Sequence, residues 1–384
     1  MIKVGVVGLG KMGLSHCAIL RPHPEVSLVG VCDSTRYVLD VLNKYTGIHT
    51  YSDYKRMLAE ASLDAVVVAT PTSTHVPIVR ESLERGIHVF CEKPFTLDPA
   101  DSDELTTLAQ AKGLVTQVGY HNRFVGTFEE VRRLLDAGAL GDVTRVLGES
   151  YGPVVLQPTG GTWRSRRSQG GGCLYDYAAH VINLVNWYIG DPASVSGTVL
   201  NRVFSRETED EVSSTMCYDG GCSAQISVSW SDESQRKMTT RVTLWGTKGR
   251  IVVDRQECQV YLREVPRGWT DYSVGWNVRY GTELMRPVDF YLRGEEYSAQ
   301  LDDFLQRVSE RRTEGSNDFQ SAVVTDKVMA MMVTDAGRVG PEPRHLPKAR
   351  SSTVALGRRR RWRRASRARR LVTAFRSWSV AGRG

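Results

Sequence analysis

Residues 2–13, IKVGVVGLGKMG, constrain the fold more than any other stretch of this chain. The run 2–7 is short, apolar and rich in β-branched residues, the pattern of a parallel strand buried on both faces. It passes at once into Gly8, Gly10 and Gly13, with Lys11 and Met12 between the last two, and LSHCAIL then has helical spacing. In this G-x-G-x-x-G arrangement the first glycine permits a tight turn. The second lets the backbone approach a pyrophosphate, and the third lets helix pack on strand. The helix start offers its N–H groups to the phosphates. The spacing alone is weak, but a strand before and a helix after supply the context it needs. A second strand, VSLVGVCD, ends in Asp33 about 20 residues further on. A carboxylate there accepts hydrogen bonds from ribose hydroxyls and repels a 2′-phosphate, which favours NAD over NADP. Arg36 works against that preference, because an arginine at this place accepts the 2′-phosphate.

Strand-like runs recur at 63–70, 87–94 and 115–120, alternating with helical patterns. This alternation predicts βαβ units in a doubly wound parallel sheet of the Rossmann kind. Such sheets bind ligands beyond the carboxyl ends of their strands. Thr70-Pro71-Thr72, Glu92-Lys93-Pro94 and Tyr120-His121-Asn122 all fall there. Pro94 restricts the residue before it and holds Lys93 extended at a strand end. A lysine so placed can donate to a substrate oxygen and stabilise developing negative charge. After residue 122 the rhythm changes, and strand-like runs follow one another with few helices between them. That predicts an α+β domain with a large open, mostly antiparallel sheet. The expected class is α/β, with a dinucleotide-binding domain over 1–122, a substrate-binding and oligomerisation domain over 123–337, and an Arg-rich tail over 338–384.

One helix interrupts the second half early, at GGGCLYDYAAH, residues 170–180. Positions i and i+4 share a helix face, so Asp176 and His180 are expected to point the same way. The glycines before them let backbone or ligand come close. Hydrophobic content of 41% and charged content of 24% exclude wholesale disorder. No leader and no membrane span is read, and the seven cysteines are scattered, odd in number and never in a CxxC. A reduced, cytoplasmic protein with no metal site is expected. The net charge of +7 has a local source. From residue 338 onward 14 Arg and one Lys face a single acid, Glu342, which makes the tail +14 and the body −7. The tail reads as disordered. Its arginines around Trp362 are the one feature suited to nucleic acid.

The order of GLGKMG, Asp33, ATPTSTH, CEKPF, GYHNRF, DAGALGDV, WRSRRSQGGGCLYDYAAH and WGTKGRI resembles the glucose–fructose oxidoreductase, inositol dehydrogenase and rhizopine-catabolism family (Gfo/Idh/MocA). The resemblance runs from Met1 to about Asp335. It implies hydride transfer between a nicotinamide and a secondary hydroxyl or ketone of a sugar, cyclitol or nucleotide sugar, without a metal. Lys93 would hydrogen-bond the reacting oxygen and Asp176 would bind or orient the substrate. His180 would be general base for oxidation and general acid for reduction, its ordinary pKa of about 6.5 suiting both. Thr70, Pro71, Thr72 and His75 lie in a segment that lines the cofactor, and Glu92 sits beside the nicotinamide region. Asn122 and Arg123 match positions at the domain junction, and Trp163 and Arg164 a pair that reaches cofactor or substrate. Arg164, Arg166 and Arg167 keep a phosphate-bearing substrate open. Relatives often carry an aspartate where this chain has Asn183, which bears on the polar lining of the substrate pocket. The resemblance also implies dimers or tetramers built through the second sheet. Two other classes share this fold: a non-catalytic NAD(P)-binding regulator, here with a basic tail, and a glycosidase assisted by NAD. The joint presence of Lys93, Asp176 and His180 favours the dehydrogenase.

Overall fold

The computed structural model describes residues 1–158, 162–292 and 294–338. Of the basic tail expected over 338–384, Arg338 is the last residue of a helix and the rest lies outside the described residues. In the N-terminal half, strands β1 (Ile2–Val7), β2 (Val26–Cys32), β3 (Thr50–Tyr51), β4 (Ala65–Val68), β5 (His88–Cys91) and β6 (Thr116–Val118) are all parallel. Helices α1 (Lys11–Leu20), α2 (Arg36–Thr46), α3 (Tyr54–Glu60), α4 (His75–Glu84) and α5 (Pro99–Ala111) make the crossovers. The strand order is β3-β2-β1-β4-β5-β6, so the winding reverses between β1 and β4. A crevice opens at such a reversal beyond the carboxyl ends of the strands. Helices on both faces explain why β4 reads as an unbroken AVVV, all four residues fully buried.

After α6 (Gly126–Asp136), strands β7 (Val143–Tyr151), β8 (Ser194–Asn201), β9 (Glu211–Cys217), β10 (Ser223–Ser229), β11 (Arg241–Gly246), β12 (Gly249–Asp254), β13 (Glu257–Leu262) and β14 (Gly275–Tyr280) form a second sheet. Its order is β14-β13-β12-β11-β7-β10-β9-β8. Only β7 and β10 pair in parallel; the other neighbours are antiparallel. The GTKG segment makes the β11–β12 turn, as its glycines predict. Between β7 and β8 the chain forms a π-helical turn, Leu174–Ala178, that continues into α7 (Ala179–Ile189). Three later helices, α8 (Gly281–Leu284), α9 (Glu295–Glu310) and α10 (Phe319–Arg338), complete the body.

The last two helices close the parallel sheet at β6. Arg307 of α9 is fully buried and donates to the Thr116 carbonyl at 3.1 Å, while Val118 N–H donates to the Asn317 carbonyl at 2.8 Å. Helix α10 reaches both sheets. Its Asp326 accepts from Ser102 Oγ at 2.7 Å and from Thr96 N–H at 3.1 Å, and its Asp335 accepts from Thr198 N–H in β8 at 2.8 Å. Strand β14 was not legible from sequence. Its inward positions are Gly275, Asn277 and Arg279, opposite the core residues Leu262, Val260 and Cys258, and its apolar side chains face outward. Among the described residues no helix is long and apolar enough to cross a membrane.

The glycine loop is built as the spacing requires. Gly8 has φ +93°, and a Cβ there would sit 2.6 Å from the Ala69 carbonyl oxygen. A Cβ on Gly13 would overlap the Gly8 carbonyl. Gly13→Ala is therefore expected to destabilise the protein by about 3 kcal/mol, the cost of overpacking against immovable backbone. Gly10→Ala, which meets no atom within 4 Å, should cost about 1 kcal/mol or less. Urea unfolding of both variants separates the two cases.

Candidate functional site

The carboxyl ends of β1, β2, β4 and β5 bring four loops to one edge of the parallel sheet. After β1, Gly10 caps α1 without any side-chain hydrogen bond, and open space lies where its Cβ would be. Lys11, Met12 and Gly13 form the first turn behind it. After β2, Asp33 fastens this loop: Oδ2 accepts from Leu9 N–H at 2.6 Å, and Oδ1 from Thr35 N–H at 2.7 Å. Arg36 is exposed at the start of α2. After β4, Thr70 and Pro71 lead into a single turn, Thr72–Thr74, with Thr72 buried. His75 is buried with Nδ1 3.0 Å from the Phe95 carbonyl oxygen and Nε2 3.0 Å from the Thr70 carbonyl oxygen. Burial holds its pKa below the usual histidine range, and a neutral ring between the loops after β4 and β5 donates to one of these carbonyls at a time.

After β5 come two charged residues with different partners. Glu92 is buried and takes a hydrogen bond from His16 of α1, Nε2 to Oε1 at 2.7 Å; its Oε2 accepts from Lys93 N–H at 3.2 Å. Burial alone would favour the neutral acid, but the His16 hydrogen bond and the nearby Lys93 charge outweigh it and hold the pKa below the usual range. The Lys93 side chain points the other way. Its ammonium donates to Asp176 Oδ1 at 2.9 Å and to the Asp176 carbonyl at 2.8 Å. Arg164 Nε donates to the other oxygen, Oδ2, at 2.9 Å. Asp176 is buried, yet these two cations hold its carboxyl below its ordinary pKa against the desolvation.

The glycine run serves the chain's own packing. Gly170, at φ +79°, lies against Thr72, Gly171 against the Trp163 and Arg164 carbonyls, and Gly172, at φ +118°, against the Glu209 carboxylate. Glu209 in turn accepts the Leu174 N–H at 3.0 Å, at the start of the π-helical turn that carries Asp176. π-Turns inside helices are frequent at functional sites. His180, in the α-helical continuation, is 3% exposed, and its Nδ1 is enclosed without a hydrogen-bond partner. Its ring meets His121 edge-on at 4.8 Å, and His121 stacks on Tyr297 at 4.7 Å. Burial, then the Lys93 charge, pushes the His180 pKa well below the usual value. The ring is therefore a neutral base at pH 7, not the evenly balanced acid and base that an unperturbed histidine would be.

Lys93, Asp176 and Arg164 thus meet directly, and the Lys93 charge acts on His180. Asn122 is buried with neither amide atom hydrogen-bonded, which is costly unless a ligand pairs it. Asn183 faces elsewhere: its Oδ1 accepts from Arg123 Nε at 2.8 Å and its Nδ2 donates to Thr325 Oγ1 at 3.2 Å. Trp163 lies under the Arg164 guanidinium at 4.6 Å. His16 and Glu209 escaped the sequence reading because each acts through a partner distant in the chain. The residues fit a bound dinucleotide on three counts: space in front of Gly10, a helix start with no capping side chain, and the orphaned Asn122 amide.

Fold and sequence matches together point to an oxidoreductase family with an NAD-binding Rossmann fold. Residues 2–120 match the oxidoreductase family with an NAD-binding Rossmann fold, and residues 128–252 match the GFO/IDH/MocA C-terminal domain. The chain belongs to the Gfo/Idh/MocA family. It is similar to uncharacterized oxidoreductase YdgJ of Escherichia coli (strain K12), 29% identical over 198 residues that span 51% of this chain and 56% of that protein. The aligned part is thus about half of that relative's length. It is also similar to scyllo-inositol 2-dehydrogenase (NAD(+)) of Bacillus subtilis (strain 168), 26% identical over 259 residues, 66% of this chain and 73% of that one. Levoglucosan dehydrogenase in complex with NADH and L-sorbose shares the fold, with TM-score 0.77 at 20% identity over 88% of this chain and 97% of that chain.

His75, His88 and His180 all have pKa values lowered by burial. The unfolded chain takes up protons on them near pH 6.5 while the folded state does not, so stability falls as pH drops through that value. Each group contributes a slope of at most about 1.4 kcal/mol per pH unit. His180→Asn is expected to flatten the decline between pH 6.5 and 5, measured by urea unfolding across that range.

Proposed function

We propose that this chain is an NAD-dependent dehydrogenase that oxidises a secondary hydroxyl of a sugar, cyclitol or nucleotide sugar, or reduces the matching ketone. The observation that carries this reading is the convergence of Lys93, Asp176 and His180 at the sheet edge that also carries the glycine loop. Bound NAD supplies the hydride acceptor. His180, neutral at pH 7, takes the hydroxyl proton as the C–H bond breaks. The Lys93 ammonium donates to the same oxygen while it carries negative charge, and Asp176 holds that ammonium in place. Asp33 retains lone pairs for the adenosine ribose, which supports NAD over NADP. Arg164, Arg166 and Arg167 border the site and keep a phosphate-bearing substrate within the class.

The test is the absorbance of reduced nicotinamide with NAD or NADP over a panel of inositols, sugars and nucleotide sugars. A rise with NAD and one substrate class is expected, and His180→Ala should lower kcat about 10²- to 10⁴-fold. The acid limb of kcat/KM should lie below pH 6.5, following the lowered His180 pKa. Nucleotide binding with no turnover over the whole panel would remove the reading in favour of a regulator or glycosidase.

The outer face of the second sheet supports assembly. Trp276, Tyr280, Val278, Val199 and Tyr261 are exposed there or along its edges, at 56%, 51%, 42%, 42% and 39%. An apolar set of this kind is normally covered by another subunit. The protein is expected to sediment as a dimer or tetramer, and Trp276→Glu combined with Tyr261→Glu should shift it toward monomer.

A further inference from the structure

We infer that the buried Glu92 carboxylate, held by His16, biases the bound nicotinamide toward its oxidised, positively charged form. The inference rests on the dehydrogenase reading and goes beyond it. The strand order sets the geometry. Asp33 follows β2 on one side of the glycine loop, and β4 and β5 lie on the other. A dinucleotide whose adenosine ribose meets Asp33 and whose pyrophosphate meets the loop must extend its nicotinamide half over the ends of β4 and β5. Glu92 is the first residue after β5, buried at 8% exposure.

The carboxylate is built in, not incidental. His16 sits on α1, behind the glycine loop, and donates from Nε2 to Glu92 Oε1 at 2.7 Å. Because Glu92 is ionised, that nitrogen carries the proton. The other oxygen fits against Gly119, where a Cβ would come within 2.9 Å of Oε2. The pair thereby ties the helix that carries the phosphate-binding loop to the strand end that faces the nicotinamide. Lys93 does not neutralise it by contact, since its ammonium is spent on Asp176 and only its backbone N–H reaches Glu92. A fixed negative charge in a poorly screened site attracts the cationic ring of NAD and has no such attraction for the neutral ring of NADH. The pair therefore sets how strongly the protein prefers one redox state of its cofactor, separately from the groups that handle the substrate.

Dissociation constants for NAD and NADH, measured by calorimetry without substrate, test this. Glu92→Gln should raise the ratio Kd(NAD)/Kd(NADH) about tenfold over wild type, while Glu92→Asp, which keeps the charge, should stay within about threefold. Should the Gln variant fail to melt cooperatively, His16→Leu with Glu92→Met removes both partners, a change buried pairs tolerate better than the loss of one. It should raise the ratio likewise. An unchanged ratio in the neutral variants, or an equal change in Glu92→Asp, overturns the inference and leaves the dehydrogenase reading standing. If wild type binds neither nucleotide, the underlying reading falls and takes the inference with it.

Discussion

The site depends on one carboxylate shared between two cations. Asp176 gives one oxygen to Lys93 and the other to Arg164, and in doing so joins the end of β5, the segment around residue 164 and the helix that carries His180. Hydrogen bonds between ions are roughly twice as strong as neutral ones, and in a largely buried setting they are little screened by salt. The burial of Asp176 makes the arrangement fragile, since removing either cation leaves its carboxylate short of a partner away from water. The glycines at 170–172 are what let these segments approach. Each packs against a neighbour that a side chain would displace: Thr72, the carbonyls of Trp163 and Arg164, and Glu209.

Two ionised carboxylates within this small region set the chemistry of the bases beside them. Desolvation works against ionisation of both Asp176 and Glu92, and each is held charged by its own donors, Lys93 with Arg164 for the first and His16 for the second. Burial, and then the Lys93 ammonium fixed by Asp176, drives proton affinity at His180 down. Burial and one fixed charge thus leave histidine an acceptor beside a lysine donor, and the division of labour follows from placement more than from residue type. His121, edge-on to His180 and stacked on Tyr297, sets aromatic surface against that ring. That surface contributes to the desolvation.

The parallel sheet was readable because its strands are buried on both faces and so appear as continuous apolar runs between helical patterns. The glycine spacing and Asp33 then located its working edge. Most of the antiparallel sheet was readable from period-two alternation, as in β9 and β10. β14 inverts that alternation, with Asn277 and Arg279 facing the core strands and Trp276, Val278 and Tyr280 outward, so pattern alone cannot assign it. Lys93, Asp176 and His180 could be singled out from motif and spacing, whereas the links among them could not. The partners of Glu92 and Leu174, His16 and Glu209, lie 76 and 35 residues away. No local signal marks either. The lowered His180 pKa is likewise a property of burial, which sequence does not carry.

At Asn183, position along the helix and hydrogen-bond partners point in different directions. It lies one turn beyond His180, yet its amide is spent on Arg123 and Thr325. Arg123 is buried, held by Asn183, by the Ser316 carbonyl and over the Trp187 ring. Burial lowers its pKa to about 10, which leaves it charged at neutral pH. An aspartate at 183 would place an anion directly on this guanidinium. The asparagine leaves the cation to be satisfied by amide and carbonyl dipoles, with Asp318 contributing its charge but no salt bridge. The substitution therefore acts on the charge balance where α7, α10 and the segment after β6 meet.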